Sequence, residues 1–210
     1  MDLYTLAVLP ALRDQLLPLT SAGEAFDSIE GEHPDARKAA VLLALFEQDA
    51  ELWLAFIRRS STLRAHSGEI AFPGGTVDPT DLSPVMTALR EAQEEIGLSP
   101  DCVDVLGLLS PVFTVVSNFL ITPVVGFLPD GLGTLHLQAS EVTELILAPV
   151  RALTDLAIFH TEQWSRDGLS RTVYFYEYGP YRIWGATGRM LHTFLQVLAR
   201  ANDERRKPDP

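Results

Sequence analysis

Apolar and polar positions divide the chain into short runs typical of strands, separated by amphipathic segments typical of helices. Two apolar runs, 39–46 and 52–57, flank five mostly polar residues and predict a β-hairpin. The proline of the Thr122-Pro123 pair predicts an edge strand or a bulge, since proline cannot donate to a ladder. Further strands are predicted where β-branched and aromatic residues cluster, at 69–72, 103–116, 119–128, 142–147 and 171–178.

Helical periodicity marks the flanks of these strands. Residues 3–19 predict an amphipathic helix broken at Pro10, a second helix starts at Pro149, and a last one runs from Ala186 to about Arg200. The predicted strands outnumber the helices, and the helices flank them. The predicted organisation is an N-terminal helix and linker over 1–36, one globular domain over 37–200 and a disordered tail over 201–210.

One further helix has clear start and stop signals. Ser83 is a good N-cap, Pro84 suits the first turn and Gly97 suits the C-terminal cap. The helix has two distinct faces. Apolar residues at helical spacing form one face, which is expected to be buried: Val85, Leu89, Ala92 and Ile96. The other face carries Glu91, Glu94 and Glu95, spaced i, i+3 and i+4 so that their side chains meet.

These three glutamates predict a metal site. Like charges at helical spacing repel by roughly 0.2–0.5 kcal/mol per pair, whereas a bound divalent cation would reverse that cost. Clustered carboxylate oxygens are the ligands that Mg²⁺ or Mn²⁺ takes, with waters and substrate phosphates filling the other positions. The glycine pair Gly74-Gly75 precedes the helix, and a tight glycine loop lets backbone groups approach a metal or phosphate closely.

Gly75 through Leu98 resembles the Nudix box. The second half, from Arg90 to Leu98, matches the family pattern at every fixed position. The first half departs from it, because Asp81 stands where the pattern has glutamate and the gap to Arg90 is one residue longer. The resemblance implies an α/β/α sandwich with a mixed sheet, covering roughly residues 37–200, and leaves the role of Asp81 open.

A second run lies just upstream of the box. Arg59-Ser60, Arg64 and Gly68 lead at regular spacing into Phe72-Pro73-Gly74-Gly75. The run resembles the extra signature of the coenzyme A diphosphatase branch of the Nudix family. Together with Arg58 it also forms a cationic cluster in an acidic chain, and arginine forks suit phosphate oxygens. We therefore expect a substrate-binding role for Arg59, Ser60, Arg64 and Gly68.

The resemblance implies hydrolysis of the diphosphate of coenzyme A to 3′,5′-ADP and 4′-phosphopantetheine. Glu91, Glu94 and Glu95, with a backbone carbonyl near Gly75, are expected to hold Mg²⁺ or Mn²⁺. A carboxylate from the box or Glu144, on the predicted strand 142–147, is expected to activate water.

Arg90 is expected to orient the glutamates. His66 could touch substrate, whereas Phe113, Phe119 and Trp184 are expected in the core rather than stacked on adenine.

Two alternatives stay open. The first keeps the chemistry with another substrate, such as ADP-ribose, a dinucleotide or a nucleoside triphosphate. The second is a Nudix-fold binding module with little turnover. The intact glutamate triplet argues against the second alternative, because a binding module would not need it. The replacement of the pattern's glutamate by Asp81 is weak support for that alternative.

Composition narrows the partners. A net charge of −12 over 210 residues argues against general nucleic-acid binding, which needs a basic surface. No apolar run approaches the ~20 residues that span a bilayer. The single cysteine, Cys102, rules out an intrachain disulfide and is expected as a small core residue. We therefore expect a cytoplasmic enzyme with a small-molecule substrate, no nucleic-acid or membrane partner, and an oligomeric state that leaves a homodimer open.

Overall fold

The computed structural model describes residues 4–19, 33–61, 68–166 and 168–206. Single 3-10 turns lie at Leu6–Val8 and Pro100–Cys102. The helices within these residues are α1 (Leu9–Gln15), α2 (Pro84–Ile96), α3 (Val150–Leu153) and α4 (Gly185–Arg205). The strands are β1 (Arg37–Gln48), β2 (Glu51–Arg59), β3 (Ile70–Ala71), β4 (Gly74–Thr76), β5 (Asp104–Leu108), β6 (Val112–Thr114), β7 (Phe119–Leu128), β8 (Val142–Pro149), β9 (Phe159–Arg166), β10 (Leu169–Tyr178) and β11 (Tyr181–Trp184).

Two sheets are present in the described part of the chain. Eight strands form a mixed sheet in the order β3-β2-β1-β7-β5, to which β4, β6 and β8 add through β1, β7 and β2 respectively. Strands β1 and β7 run parallel, whereas β1 and β2 form the predicted antiparallel hairpin. Strands β9, β10 and β11 form a separate antiparallel sheet.

Helices cover both faces of the mixed sheet. Side chains alternate along β1, so Ala40 and Leu42 belong to the core that α2 covers, whereas Leu43 and Leu45 pack in the core beneath α1 and α4. Burying a leucine of this kind stabilises the fold by about 1.5–3 kcal/mol. The predicted α/β/α sandwich with a mixed sheet is confirmed.

Three secondary-structure predictions were wrong. Strand β9 was missed because it is a mostly exposed edge strand without an apolar run. Strand β7 is interior rather than an edge, and Pro123 lies where its neighbour changes from β6 to β5. Pro10 does not break the N-terminal helix, because it falls in the first turn of α1, where no N–H is needed.

The ends of the chain also differ from prediction. Helix α4 continues to Arg205 because Ala201 and Asn202 are buried, so the predicted disorder is wrong at the start of 201–210, and residues 207–210 lie outside the described residues. At the other end, Val8 and Leu12 are fully buried in the same core as α4. The linker predicted within 1–36 lies mostly outside the described residues. Cys102 is exposed rather than in the core. None of the helices in the described ranges is long and apolar enough to cross a bilayer.

Candidate active site

Helix α2 presents the glutamates, and its ends form as predicted. The Ser83 hydroxyl accepts a hydrogen bond from the Met86 N–H at 3.3 Å. Gly97 closes the helix with a φ angle of 73°, a left-handed conformation that favours glycine. Ala92 and Ile96 are fully buried against the sheet, as expected for the apolar face.

Glu95 is the most buried of the three glutamates, with 1% of its surface exposed. The Gly74 N–H donates to Oε2 at 2.9 Å, and Arg59 Nη1 lies 3.3 Å from Oε1. Burial raises the pKa of Glu95 to about 7, because these two donors only partly offset desolvation and the charges of Glu91 and Glu141 add to it. Glu95 is therefore a buried carboxylate poised between its charged and neutral forms.

Glu91 lies against the glycine loop. A Cβ atom built on Gly75 would overlap the Glu91 carboxyl group, so any larger residue there would displace this carboxylate from its present position. Partial burial raises the pKa of Glu91, and a hydrogen bond from Arg90 opposes that rise. Gly75 therefore lies next to Glu91, one of the glutamates predicted to hold the metal.

Arg90 connects the glutamates to one another. Its Nη1 atom lies 2.8 Å from Glu91 Oε1 and 3.2 Å from Glu94 Oε2, and its Nη2 atom donates to the Thr76 carbonyl at 3.1 Å. The Glu94 side chain is more than half exposed. Arg90 therefore binds the carboxylates from the side of the glycine loop, and the orienting role stays a prediction.

Asp81 anchors Arg90. The Arg90 Nη2 atom lies 2.9 Å from Asp81 Oδ2, which also accepts hydrogen bonds from the Thr87 hydroxyl and the Asp78 N–H at 2.9 Å each. The hydrogen bond from Arg90 is the largest reason why the pKa of Asp81 falls to about 2. Asp81 thus holds the loop and Arg90 in place, a role that its departure from the family pattern had concealed.

A loop from a distant part of the chain completes the site. The Gln138 N–H donates to the Glu95 carbonyl at 2.9 Å, and the His136 N–H donates to the Ile96 carbonyl at 3.0 Å. The loop thereby satisfies the last turn of α2 and leads into Glu141, whose charge raises the pKa of both Glu91 and Glu95. The sequence predicted Glu144, three residues later, as the carboxylate outside the box.

Glu144 does not join the glutamates of α2. Its carboxylate accepts a hydrogen bond from the Tyr181 hydroxyl at 2.5 Å and lies 3.3 Å from Arg58 Nη1. Its strand neighbours at alternate positions, Ile146 and Ala148, pack in the core on the face opposite α2. A register shift beside Arg58 in the β2–β8 pairing separates the faces of Glu144 and Val142.

The upstream arginine run is only partly described. Arg59 lies at the glutamates, whereas Arg64 and His66 lie outside the described residues. Ser60 is 3% exposed, and its N–H donates to the Glu141 carbonyl at 2.7 Å. Gly68 returns the chain to β2, because its N–H donates to the Arg59 carbonyl at 3.1 Å.

The aromatic residues named from the sequence pack against other side chains. The imidazole of His33 stacks on Phe113 with ring centroids 3.6 Å apart, and the Arg37 guanidinium lies 4.0 Å from the centroid of Phe119. Trp184 stacks on Phe175. Each of the three rings therefore has a neighbour but is only partly buried, so the prediction that they lie in the core is wrong.

The donor set around α2 fits a hard divalent cation. Within the described residues the carboxylates do not converge as a ready-made chelate, because Glu91 and Glu94 both bind Arg90. Burial and mutual repulsion nevertheless raise the pKa of Glu91 and Glu95, and a cation would relieve that repulsion. Glu91, Glu94 and Glu95 are the side chains that would hold it, with a carbonyl of the glycine loop.

Comparisons with known proteins agree with this geometry. The model of the NUDIX domain family matches residues 36–167. A protein of Photorhabdus laumondii named "Uncharacterized Nudix hydrolase NudL" is 42% identical over 162 residues, covering 77% of this chain and 85% of that protein. A protein of the same name from Cronobacter sakazakii is 40% identical, covering 77% and 83%.

Solved structures show weaker likeness. The MutT protein from Methanosarcina mazei is 17% identical with a TM-score of 0.48, covering 82% of this chain and 99% of its own. The NUDIX domain of Shewanella oneidensis NrtR, complexed with ADP ribose, is 17% identical with a TM-score of 0.43, covering 55% of this chain and 74% of its own.

Proposed function

This chain belongs to the Nudix hydrolase family, and on that premise we propose that it hydrolyses the diphosphate of coenzyme A or of a derivative. As a member of this family, the protein is a hydrolase acting on the pyrophosphate bond of a nucleoside diphosphate derivative. Coenzyme A is favoured over other such substrates by the upstream arginine run. ADP-ribose, dinucleotides and nucleoside triphosphates are the competing substrates.

The observation that carries this proposal is the contact between Arg59 and Glu95. Arg59 belongs to the run that resembles the coenzyme A diphosphatase branch, and Glu95 belongs to the Nudix box. Their side chains lie 3.3 Å apart, with Arg59 one-quarter exposed. A substrate phosphate held at the glutamates would therefore also meet the Arg59 guanidinium, whose fork suits phosphate oxygens.

Different side chains of the site have different roles in the proposed reaction. Glu91, Glu94 and Glu95 hold Mg²⁺ or Mn²⁺, which when bound neutralises phosphate charge and acidifies water. Arg90 keeps Glu91 and Glu94 in place while Asp81 fixes Arg90.

We assign proton removal from the attacking water to Glu141, because its backbone carbonyl binds the Ser60 N–H next to Arg59 and so holds this residue near the site. Water oxygen bonds to one phosphorus as the bridging P–O bond breaks. The products are 3′,5′-ADP and 4′-phosphopantetheine.

Arg59 and Arg64 have different proposed roles. Arg59 is placed to contact the diphosphate, since it lies at the glutamates. Arg64 then remains for the 3′-phosphate that distinguishes coenzyme A from dephospho-coenzyme A. Losing one charge-assisted hydrogen bond costs about 1.5–3 kcal/mol, or roughly 10- to 100-fold in kcat/KM.

A substrate panel tests the proposal directly. The purified protein is incubated with coenzyme A, dephospho-coenzyme A, ADP-ribose, a dinucleotide and a nucleoside triphosphate, with Mg²⁺ or Mn²⁺, and products are identified by mass spectrometry. We expect coenzyme A to have the highest kcat/KM. A wide preference for ADP-ribose would overturn the coenzyme A proposal, and no turnover of any substrate would favour the binding module.

Arginine variants sharpen the result. We expect Arg59→Ala to lower kcat/KM for coenzyme A and dephospho-coenzyme A equally, and Arg64→Ala to lower it for coenzyme A alone. Arg189→Ala is the matched control, because Arg189 is exposed on α4. Equal losses with Arg64→Ala on both substrates would remove the assignment of Arg64 to the 3′-phosphate.

A further inference from the structure

The side chains of Arg58 and Arg59, at the end of β2, lie on opposite faces of the sheet. Side chains alternate along a strand, so Arg59 follows Ile57 toward α2 and Arg58 follows Phe56 toward the opposite core. Arg59 accordingly contacts Glu95, whereas Arg58 contacts Glu144. The pair therefore does not form the single cationic cluster that the sequence predicted.

Arg58, Glu144 and Tyr181 contact one another on that second face. The Tyr181 hydroxyl donates to Glu144 Oε1 at 2.5 Å, and Arg58 Nη1 lies 3.3 Å from Glu144 Oε2. The Arg58 guanidinium also lies over the Tyr181 ring, 5.3 Å from its centroid. Each of the three side chains thus contacts the other two, and we call this trio the Tyr181 clamp.

The clamp joins two sheets at one point. Tyr181 lies on β11 of the three-stranded sheet, whereas Arg58 and Glu144 are opposite each other on β2 and β8 of the mixed sheet. Strand β11 also packs beside β3, which pairs with β2 at Arg58. The three-stranded sheet therefore reaches the end of β2 through Tyr181.

Directly after the clamp the ladder becomes irregular. The register of β2 against β8 shifts between Arg58 and Arg59. Beyond that shift, the Ser60 N–H donates to the Glu141 carbonyl at 2.7 Å, and the Gly68 N–H donates to the Arg59 carbonyl at 3.1 Å. A movement of the end of β2 would therefore move both Arg59 and Glu141.

We propose that the Tyr181 clamp fixes the end of β2, so that Arg59 and Glu141 keep their places around Glu95. Glu144 and Tyr181 are then positioning residues, and Glu144 is not the general base. The effect on turnover rests on the proposed function, whereas the effect on the β2 end does not. Tyr181 belongs to a part of the chain beyond the matched family model, which ends at residue 167.

Hydrogen exchange tests the clamp without any substrate. Tyr181→Phe removes only the hydroxyl that binds Glu144 and leaves the ring over Arg58. We expect exchange of the Ser60 and Gly68 amides to become about 10-fold faster, as loss of a hydrogen bond to a charged group predicts for a local opening. Tyr178→Phe is the matched control, since its ring stacks on Tyr181 in the same sheet. Unchanged exchange at both amides would overturn the proposal.

Kinetics separate positioning from proton transfer. On whichever diphosphate the wild type hydrolyses, we expect Tyr181→Phe to lower kcat by about 10-fold with KM within about twofold, since small displacements in a site can cost up to ~100-fold. Glu144→Gln keeps an acceptor for Tyr181 and should retain more activity than Glu144→Ala. The Tyr181→Phe/Glu144→Ala pair should lose no more than Glu144→Ala alone.

The opposite pattern identifies a general base. Glu144→Gln would then be as inactive as Glu144→Ala, and Tyr181→Phe would keep the wild-type kcat. Either result overturns the positioning role. If the wild type hydrolyses no substrate of the panel, the proposed function falls, and the exchange measurement still decides whether the clamp holds β2.

Discussion

Asp81 and Glu95 are two carboxylates whose side chains are both largely covered but whose pKa values shift in opposite directions. Their side chains are 4% and 1% exposed. The pKa of Asp81 lies near 2, whereas the pKa of Glu95 lies near 7. Desolvation raises the pKa of both and is the largest cause for Glu95, whereas for Asp81 the hydrogen bond from Arg90 outweighs it.

The partners differ in charge and number. Asp81 receives the Arg90 guanidinium in close contact, together with the Thr87 hydroxyl and the Asp78 N–H. Glu95 receives one backbone N–H and the more distant Arg59, and it faces other carboxylates. A carboxylate with its full set of donors is structural, and one left short of positive charge is ready for a cation.

Removing the charge of Glu95 should have the largest effect on this comparison. We expect Glu95→Gln to lower kcat by about 10²–10³-fold, the range seen when one electrostatic contact to a transition state is lost. Excess chelator should abolish wild-type turnover, and added Mg²⁺ or Mn²⁺ should restore it. Full turnover by the variant, or by the wild type in chelator, would contradict a metal role for Glu95.

The same variant should change the pH dependence of stability in the metal-free protein. Because the pKa of Glu95 is raised from 4.5 to about 7, the folded state binds more protons in that interval and stability falls as pH rises through it. Glu95→Gln lacks this loss. Relative to wild type, its free energy of unfolding should therefore rise by about 3 kcal/mol between pH 4.5 and pH 7.5.

Urea denaturation at several pH values measures this difference. Glu94→Gln is the matched control, since the Glu94 side chain is more than half exposed. If the difference in unfolding free energy between Glu95→Gln and wild type stays constant with pH, the pKa of Glu95 is not raised in the folded state.

Asp81→Asn should change the pH dependence of the unfolding free energy in the direction opposite to Glu95→Gln. The pKa of Asp81 is lowered from 3.8 to about 2, so its contribution is present above pH 3.8 and is lost as pH falls through 2. We expect the variant to lose about 1–2 kcal/mol of unfolding free energy at pH 7, allowing for solvent screening in this loop. The loss should vanish near pH 2, and a loss that persists there would indicate a packing defect.

Gly75→Ala should give the smallest effect of the four. The added methyl group would displace the Glu91 carboxylate, which lies 2.4 Å from the new Cβ position. We expect kcat to fall by about fivefold, since a displaced group retains part of its function. The double variant Gly75→Ala/Glu91→Gln should then be no worse than Glu91→Gln alone, and additive losses would mean that the methyl acts elsewhere.

Local signals in the sequence predicted much of this structure. The caps of α2, the β1–β2 hairpin and the two faces of α2 depend on residues within a few positions of one another. The outcome for Glu95 depends instead on Gly74, Arg59 and the loop around Gln138, which the fold brings together from three segments. Sequence spacing placed Glu95 on an open helix face and could not foresee its burial.

Register decided the remaining difference. Glu141 and Glu144 are both acidic and lie three residues apart, so composition favoured neither. The register shift between Arg58 and Arg59 puts Val142 on the α2 face and Glu144 on the opposite face, away from the glutamates. Strand alternation alone predicts that the side chains of Arg58 and Arg59 point to opposite faces of the sheet. This difference could therefore have been predicted from the sequence.

The parallel ladder between β1 and β7 has a consequence for how the molecule folds. Residues Arg37 to Phe46 align with Phe119 to Leu128, and the glycine loop, α2, β5 and β6 all lie in the chain between them. Parallel partners so far apart form slowly, because a long loop must close before the ladder gains any contacts. During synthesis, a nascent chain that ends before Phe119 holds every box glutamate but lacks the strand that closes the sheet beneath them. The hydrolytic centre is therefore encoded early in the chain and assembled late.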